Sequence, residues 1–302
     1  MYKKKRWRKR FLRASGKGAF LIPALAMLLI FTMFPFFFSL FLSFTKVSLV
    51  GGLKITWAGF YNWVQLASDA RFWNSLRNTI FITGVVVSLE YGLGLILALF
   101  LNREGLKGRG FFRVAFLIPM MLTPIGIGFM WRMLFDPGGG AVNDILIKLG
   151  FPFIGWLSNA KIAIYTIIVS DIWHWTPFMF ILLLASLQGI PSELMEAAKV
   201  DGASGWQIFR FIIFPLLIPV SVALLLLRSI EASKIMDKVY IITGGGPGTS
   251  TETTTLYTYI TGLKRFELGY GSAMAYTFFL FILGIAIAFL FIARKSLQKG
   301  IA

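Results

Sequence analysis

Six stretches of the chain are almost purely apolar, and polar or charged segments separate them. They run over residues 20–44, 78–101, 114–131, 162–188, 211–227 and 268–293. A bilayer core about 30 Å thick is crossed by roughly 20 helical residues, so each stretch is long enough or nearly so. Four carry no charge; the second holds Glu90, and the fourth holds Asp171 and His174. None shows the ten-residue alternation of a barrel strand. Lipid offers the backbone no water, so all six are predicted as helices. Pro215 and Pro219 are expected to bend or break the start of the fifth, where neighbouring helices satisfy the freed carbonyls.

Composition agrees with lipid as the solvent. Of the 302 residues 57% are hydrophobic and 14% charged, and mean hydropathy is +0.76. Soluble domains carry about 25% charged residues. The absence of cysteine excludes a disulfide scaffold, a thiolate metal site and a cysteine nucleophile. A single histidine, His174, argues against a histidine-built metal centre or a Ser-His-Asp triad.

The net charge of +17 would suit nucleic acid, but the basic residues are not placed for reading it. They report orientation instead. Segments 1–19, 102–113, 188–214 and 294–302 hold 18 Lys and Arg in 67 residues, against 12 in 107 for segments 45–77, 132–161 and 228–271. The denser set is expected in the cytoplasm with both termini, a parity that an even number of spans satisfies. The run KKKRWRKR is read as a topological anchor for the first span rather than as a lipid or nucleic-acid patch. A cleaved signal peptide would have an apolar region of about 7–15 residues, shorter than this one.

The segment between the fourth and fifth stretches, 191–219, is longer than a passive connector needs. Ser192 is placed to cap a short helix through Lys199, with Glu193 and Glu196 spaced to pair with Lys199. Gly202 suits a reversal at positive φ. Ser204 and Gln207 form a capping box for a second helix that runs into the fifth span. Ala197 and Ala198 leave a smooth surface that another protein's backbone can approach.

Glu196-Ala197-Ala198, three residues, Gly202, nine residues, then Ile212 and Pro215 resembles the EAA loop of binding-protein-dependent ABC importer permeases. Phe214 stands where leucine usually precedes the proline. Asp201-Gly202-Ala203 and the later Thr243-Gly244-Gly245-Gly246-Pro247 resemble the carbohydrate-uptake branch. The resemblance covers roughly residues 75–293, with the coupling loop at 191–214 and the first span as an addition. It implies an all-α polytopic membrane fold with six transmembrane helices, that of a type I ABC importer permease. It also implies that Glu196, Ala197, Ala198, Asp201 and Gly202 form a coupling helix seated on a cytoplasmic ATPase subunit. The implied partners are a second, related permease, two ATPase subunits and an extracytoplasmic solute-binding protein. ATP and Mg would belong to the ATPase, with no cofactor in this chain, and the mechanism would be alternating access in the inner membrane. An amphipathic helix lying on the inner leaflet is the bland alternative for the loop.

Ionisable groups inside spans are costly and mark a pathway or a partner. The fourth stretch holds Asp171, Trp173, His174, Trp175 and Phe178, of which Asp171, Trp175 and Phe178 share one helical face with His174 beside them. A carboxylate among indoles suits a sugar, since the acid accepts hydroxyl hydrogens and the rings cover apolar C–H patches. In the family this helix lines the substrate cavity; an interfacial aromatic belt is the alternative. Arg228, Glu231, Lys234 and Asp237 follow at steps of three, either as an intrahelical ion-pair ladder or with Arg228 and Glu231 at the cavity. In the second case Arg228 leaves room for an acidic or phosphorylated solute. Glu90 is expected to pair with a neighbouring helix. The run GGGPG at 244–248 lacks the following Lys-Ser/Thr of a phosphate loop and reads as a turn.

The sequence reading is therefore a permease subunit of an ATP-driven carbohydrate importer, catalysing no covalent chemistry. An ion-gradient-driven secondary transporter would want internal repeats and would leave the loop motif unexplained. A membrane enzyme would need a convergent acid/base set, and a scaffold would leave the loop unused.

Overall fold

The computed structural model describes residues 21–48, 52, 54–103, 105 and 107–301. The basic segment 1–19 and the start of the first stretch at Phe20 lie outside them. Two compact units separate, Met1–Ser68 with Ile260–Tyr276, and Asp69–Tyr259 with Thr277–Ala302. The described residues hold five helices long and apolar enough to cross a membrane, or six if one sharply bent pair counts as a span.

The first unit is built on α1 (Ile22–Ser43), whose side chains are nearly all exposed, as suits a helix solvated by lipid. A short antiparallel hairpin follows, β1 (Thr45–Ser48) paired with β2 (Lys54–Trp57), then α2 (Tyr61–Ala67). The hairpin was not expected. Buried Asn62 ties α2 to the chain ahead of it by donating to the carbonyls of Ser43 and Thr45, each at 2.9 Å.

In the second unit α3 (Ala70–Leu101) packs along α7 (Ala163–Gln188). Asp69 caps α3 by accepting from the amides of Arg71 and Phe72. Between lipid-solvated helices the hydrophobic effect gives little, and close packing takes its place. Gly94 makes the closest approach possible. A Cβ there would lie 2.6 Å from Met179 Cβ and 2.9 Å from the Phe180 amide nitrogen. Phe72, Ile82 and Val86 of α3 and Ile167, Met179, Phe180 and Leu183 of α7 are fully buried.

The third stretch, expected as one helix over 114–131, is broken. α4 (Arg109–Leu117) ends in a 3-10 turn, Ile118–Met121, and α5 (Pro124–Leu134) leaves at 93°. Pro124 explains the position: its ring pushes Thr123 into extended backbone, and a proline fits the first turn of a helix. Thr123 then caps α5 by accepting from the Gly126 amide at 3.3 Å. A short helix, α6 (Ala141–Lys148), precedes α7.

After α7 come α8 (Ser192–Val200) and α9 (Gly205–Ile208), a π-helical turn over Phe209–Ile213, α10 (Phe214–Ser233) and α11 (Asp237–Ile242). The irregularity expected at the prolines thus takes the form of a widened turn just ahead of Pro215, which has no N–H for the carbonyl four residues back. Helix continues through Ser233, so Arg228 and Glu231 lie on α10 as expected, whereas the chain breaks at 234–236 and Asp237 begins α11.

The glycine-rich run is a turn, as expected. Thr243 and Thr251 hydroxyls hydrogen-bond at 2.8 Å, and Thr251 also donates to the Gly246 carbonyl at 2.8 Å. The next residues are clamped to the start of α3. Arg71 forks onto Glu252 with both contacts at 2.7 Å, and Asn74 and Asn78 donate to the Thr249 carbonyl. The unit continues with α12 (Thr254–Tyr259), and α13 (Leu268–Ile301) closes the chain.

Candidate functional site

Four helices place their ionisable side chains at one buried point. Arg228 of α10 donates through Nε and Nη2 to the two oxygens of Glu90 on α3, at 2.7 and 2.9 Å. The same Nη2 donates to Oδ2 of Asp171 on α7. Lys238 of α11 donates to Asp171 Oδ1 at 2.6 Å. All four residues are at most 2% exposed. Each ion would be prohibitive alone in this setting; two acids and two bases in contact offset one another's desolvation. The guanidinium also sits over the Trp175 ring, 5.0 Å from its centroid.

The network forms one wall of a cavity of about 240 Å³. Of the residues singled out in the sequence, Asp171, Trp175, Arg228 and Glu231 line it together, with Lys234, Asp237 and Lys238. Trp173, His174 and Phe178 do not. Trp173 turns outward and meets Trp131 edge-on at 6.1 Å, Phe178 packs edge-on against Trp175 at 6.0 Å, and His174 is buried beside Trp175. His174 and Phe178 flank the indole of Trp175, Trp173 does not touch it, and none of the three lines the cavity.

The ladder forms only at one rung. Glu231 and Lys234 pair at 2.7 Å, whereas Arg228 turns away from Glu231 to its two buried acids. Low-dielectric carboxylates on facing helices hold a guanidinium more strongly than an exposed neighbour three residues on. Glu90 pairs across helices as expected. Lys238 is the member of this network that sequence reasoning missed; it lies on α11, past the break at 234–236, and no spacing along α10 points to it.

The geometry suits a polyhydroxylated ligand. A carboxylate has about four lone-pair sites, so Asp171 can accept hydroxyl hydrogens beside its two cations. Trp175 supplies an apolar plane next to them.

A second feature lies at the other end of α7. α8 has no buried residue, and Leu194, Val200 and the following Trp206 are exposed. Its C-terminus is a Schellman turn: Ala203 N–H reaches the Ala198 carbonyl at 2.9 Å, and Gly202 N–H the Lys199 carbonyl at 3.1 Å. Gly202 has φ +80°, the left-handed value that this turn requires. The Ser204–Gln207 capping box then starts α9, with Gln207 Oε1 accepting from the Ser204 amide at 2.7 Å. Two local expectations change. Pro191, not Ser192, occupies the capping position of α8, because its ring fixes φ and leaves Ser192 inside the first turn. Among the described residues no ion pair joins Glu193 or Glu196 to Lys199, consistent with the small value of exposed pairs.

Residues 90–300 match the family model described as the binding-protein-dependent transport system inner membrane component. The chain belongs to that family. It is 37% identical to the trehalose/maltose transport system permease protein MalF of Thermococcus litoralis, over 91% of this chain and 92% of that one. It is 36% identical to the sulfoquinovosyl glycerol transport system permease protein SmoG of Agrobacterium fabrum, over 91% and 89%. A crystal structure of a bacterial ABC transporter that imports the acidic polysaccharide alginate shares the fold, with TM-score 0.85 and 24% identity over 96% of this chain and 99% of that one. The protein is thus an all-α, multi-pass inner-membrane permease subunit of an ABC importer, a transport component rather than an enzyme. A secondary transporter is set aside.

Proposed function

We propose that this permease carries a carbohydrate or carbohydrate derivative through the cavity walled by Asp171, Trp175, Arg228 and Glu231, after delivery by an extracytoplasmic solute-binding protein. The observation that carries the reading is the juxtaposition of a buried carboxylate and an indole face at one cavity. Relatives named for trehalose/maltose and for sulfoquinovosyl glycerol support the carbohydrate class. They leave the charge open, since trehalose and maltose are neutral and the sulfoquinovosyl group bears a sulfonate.

In this reading α8, with Glu196, Ala197, Ala198, Asp201 and Gly202, docks on one of two ATPase subunits, where ATP and Mg are bound. A second, related permease completes the pathway, and both termini face the cytoplasm. ATP binding opens the cavity outward, and hydrolysis resets it. Exposed α8 ends in the Schellman turn, and the capping box just beyond it starts α9, which runs through the π turn into α10, so a push on α8 reaches α10 across one short turn.

Uptake of radiolabelled maltose and trehalose into proteoliposomes containing the assembled importer tests the reading. ATP-dependent uptake that falls about tenfold or more in Asp171→Asn is expected. Unchanged uptake in that variant would move the solute site elsewhere.

A further inference from the structure

Every cation on the cavity wall is already neutralised. Lys238 is held by Asp171, Arg228 by both Glu90 and Asp171, and Lys234 by Glu231. Asp237 also lines the cavity, and among the described residues no ion pair reaches it. On the wall itself Asp171, Glu231 and Asp237 stand against Arg228, Lys234 and Lys238, three acids against three bases. From this balance we infer that the permease selects an uncharged, hydroxyl-rich solute and rejects acidic sugars, a conclusion that rests on the carbohydrate reading above.

The physical reason is desolvation. An anionic sugar entering the cavity gives up water around its carboxylate or sulfonate, and it recovers that cost only from a cation free to meet it. Here the guanidinium is already committed to two acids and both lysines are paired, so an anion meets no free cation on a wall whose acids and bases balance. A cationic solute fares no better at the aromatic surface, because Arg228 sits 5.0 Å from the Trp175 ring centroid, and a second cation at that ring would lie close to the first. A neutral polyol avoids both penalties. Its hydroxyls donate to remaining carboxylate lone pairs and accept from ammonium hydrogens, while the ion pairs stay intact. The mixed, balanced charges then serve as paired donors and acceptors and give no net attraction to either sign.

The test compares solutes of similar size and opposite charge state in the assembled importer. Binding of maltose, trehalose and digalacturonate would be followed by equilibrium dialysis, and ATP-dependent uptake of each measured in proteoliposomes. The expected result is uptake of at least one neutral disaccharide, with digalacturonate bound at least about tenfold more weakly. Glu231→Gln supplies the second arm. Glu231 is exposed, so the substitution spares the fold, removes one wall acid and releases Lys234. It is expected to shift the preference toward digalacturonate by roughly fivefold. Digalacturonate bound as well as maltose, or a preference unmoved in Glu231→Gln, overturns the charge inference and leaves the carbohydrate reading standing. Failure of all three sugars, with ATP-dependent uptake of glutamate or glycine betaine instead, overturns both.

Discussion

Arg228 on α10 reaches Glu90 on α3 through a two-point fork at 2.7 and 2.9 Å, while Asp171 on α7 shares one of its nitrogens. The guanidinium thus clips three helices together at the depth where an unpaired charge is least tolerable. Lys238 extends the clip to α11 through the other Asp171 oxygen.

Removing the central cation should therefore cost far more than removing an exposed pair. Arg228→Ala leaves two acids facing each other with only Lys238 nearby, and we expect a loss of about 3–5 kcal/mol. Replacing both members of the fork, Glu90→Gln with Arg228→Met, removes the orphaned acid and keeps the Asp171–Lys238 pair. The double variant should recover most of that loss. Thermal unfolding in mild detergent checks the order; a double variant less stable than Arg228→Ala would contradict the compensation argument.

Gly94 should tolerate nothing larger. A Cβ would fall 2.6 Å from Met179 Cβ, so Gly94→Val must separate α3 from α7. The expected destabilisation is about 1–3 kcal/mol or more. Gly92, with open space around its missing Cβ, is the control: Gly92→Ala should be close to neutral. Melting temperatures of the two variants measure the contrast.

Tyr257 gives a pH signature outside the spans. Burial, followed by its hydrogen bond to Asp69 at 2.8 Å, pushes the phenol from 10 up to about 12. A raised value means that the folded chain holds the proton more tightly than the unfolded one. The stabilisation is complete below pH 10 and disappears as pH rises toward 12. Tyr257→Phe should therefore lose stability relative to the parent below pH 10, with the gap closing at higher pH. Melting curves at a series of pH values test this, and a constant gap would count against it.

Much of this was legible in the sequence, and its failures have physical causes. The left-handed Gly202 and the Ser204–Gln207 box were readable because local backbone demands fix those residue types. Glu90 was readable as a cross-helix partner because a lone acid in lipid needs one. The break ahead of Pro124 was written in the Thr-Pro pair but hidden by an apolar run with no charge to interrupt it. The hairpin at Thr45–Trp57 was missed because its strands are only four residues each. Arg228 had Glu231 at ladder spacing, and the choice of Glu90 and Asp171 depended on helices 138 and 57 positions away in the chain. Periodicity along one helix carries no information about such partners. Trp173 and Phe178 illustrate the same limit, since a shared stripe does not say which part of it faces the cavity.

Coupling should be separable from solute binding. Glu196→Lys reverses the charge on exposed α8 without touching the buried network, so assembly of the helices and solute binding are expected to persist. ATP-dependent uptake should fall by about tenfold or more. Unchanged uptake would remove the coupling role from this helix.

Exposed α8 is expected to meet an ATPase subunit directly. The chain has no cysteine, so Val200→Cys, 88% exposed at the end of α8, introduces a unique thiol for crosslinking. The measurement is to extract this variant in mild detergent, crosslink through that thiol and identify the captured chain. The expected capture is an ATP-hydrolysing subunit, with crosslinking yield altered when ATP is added. A protein recovered alone in repeated mild preparations, with uptake in liposomes driven by an ion gradient, would contradict it.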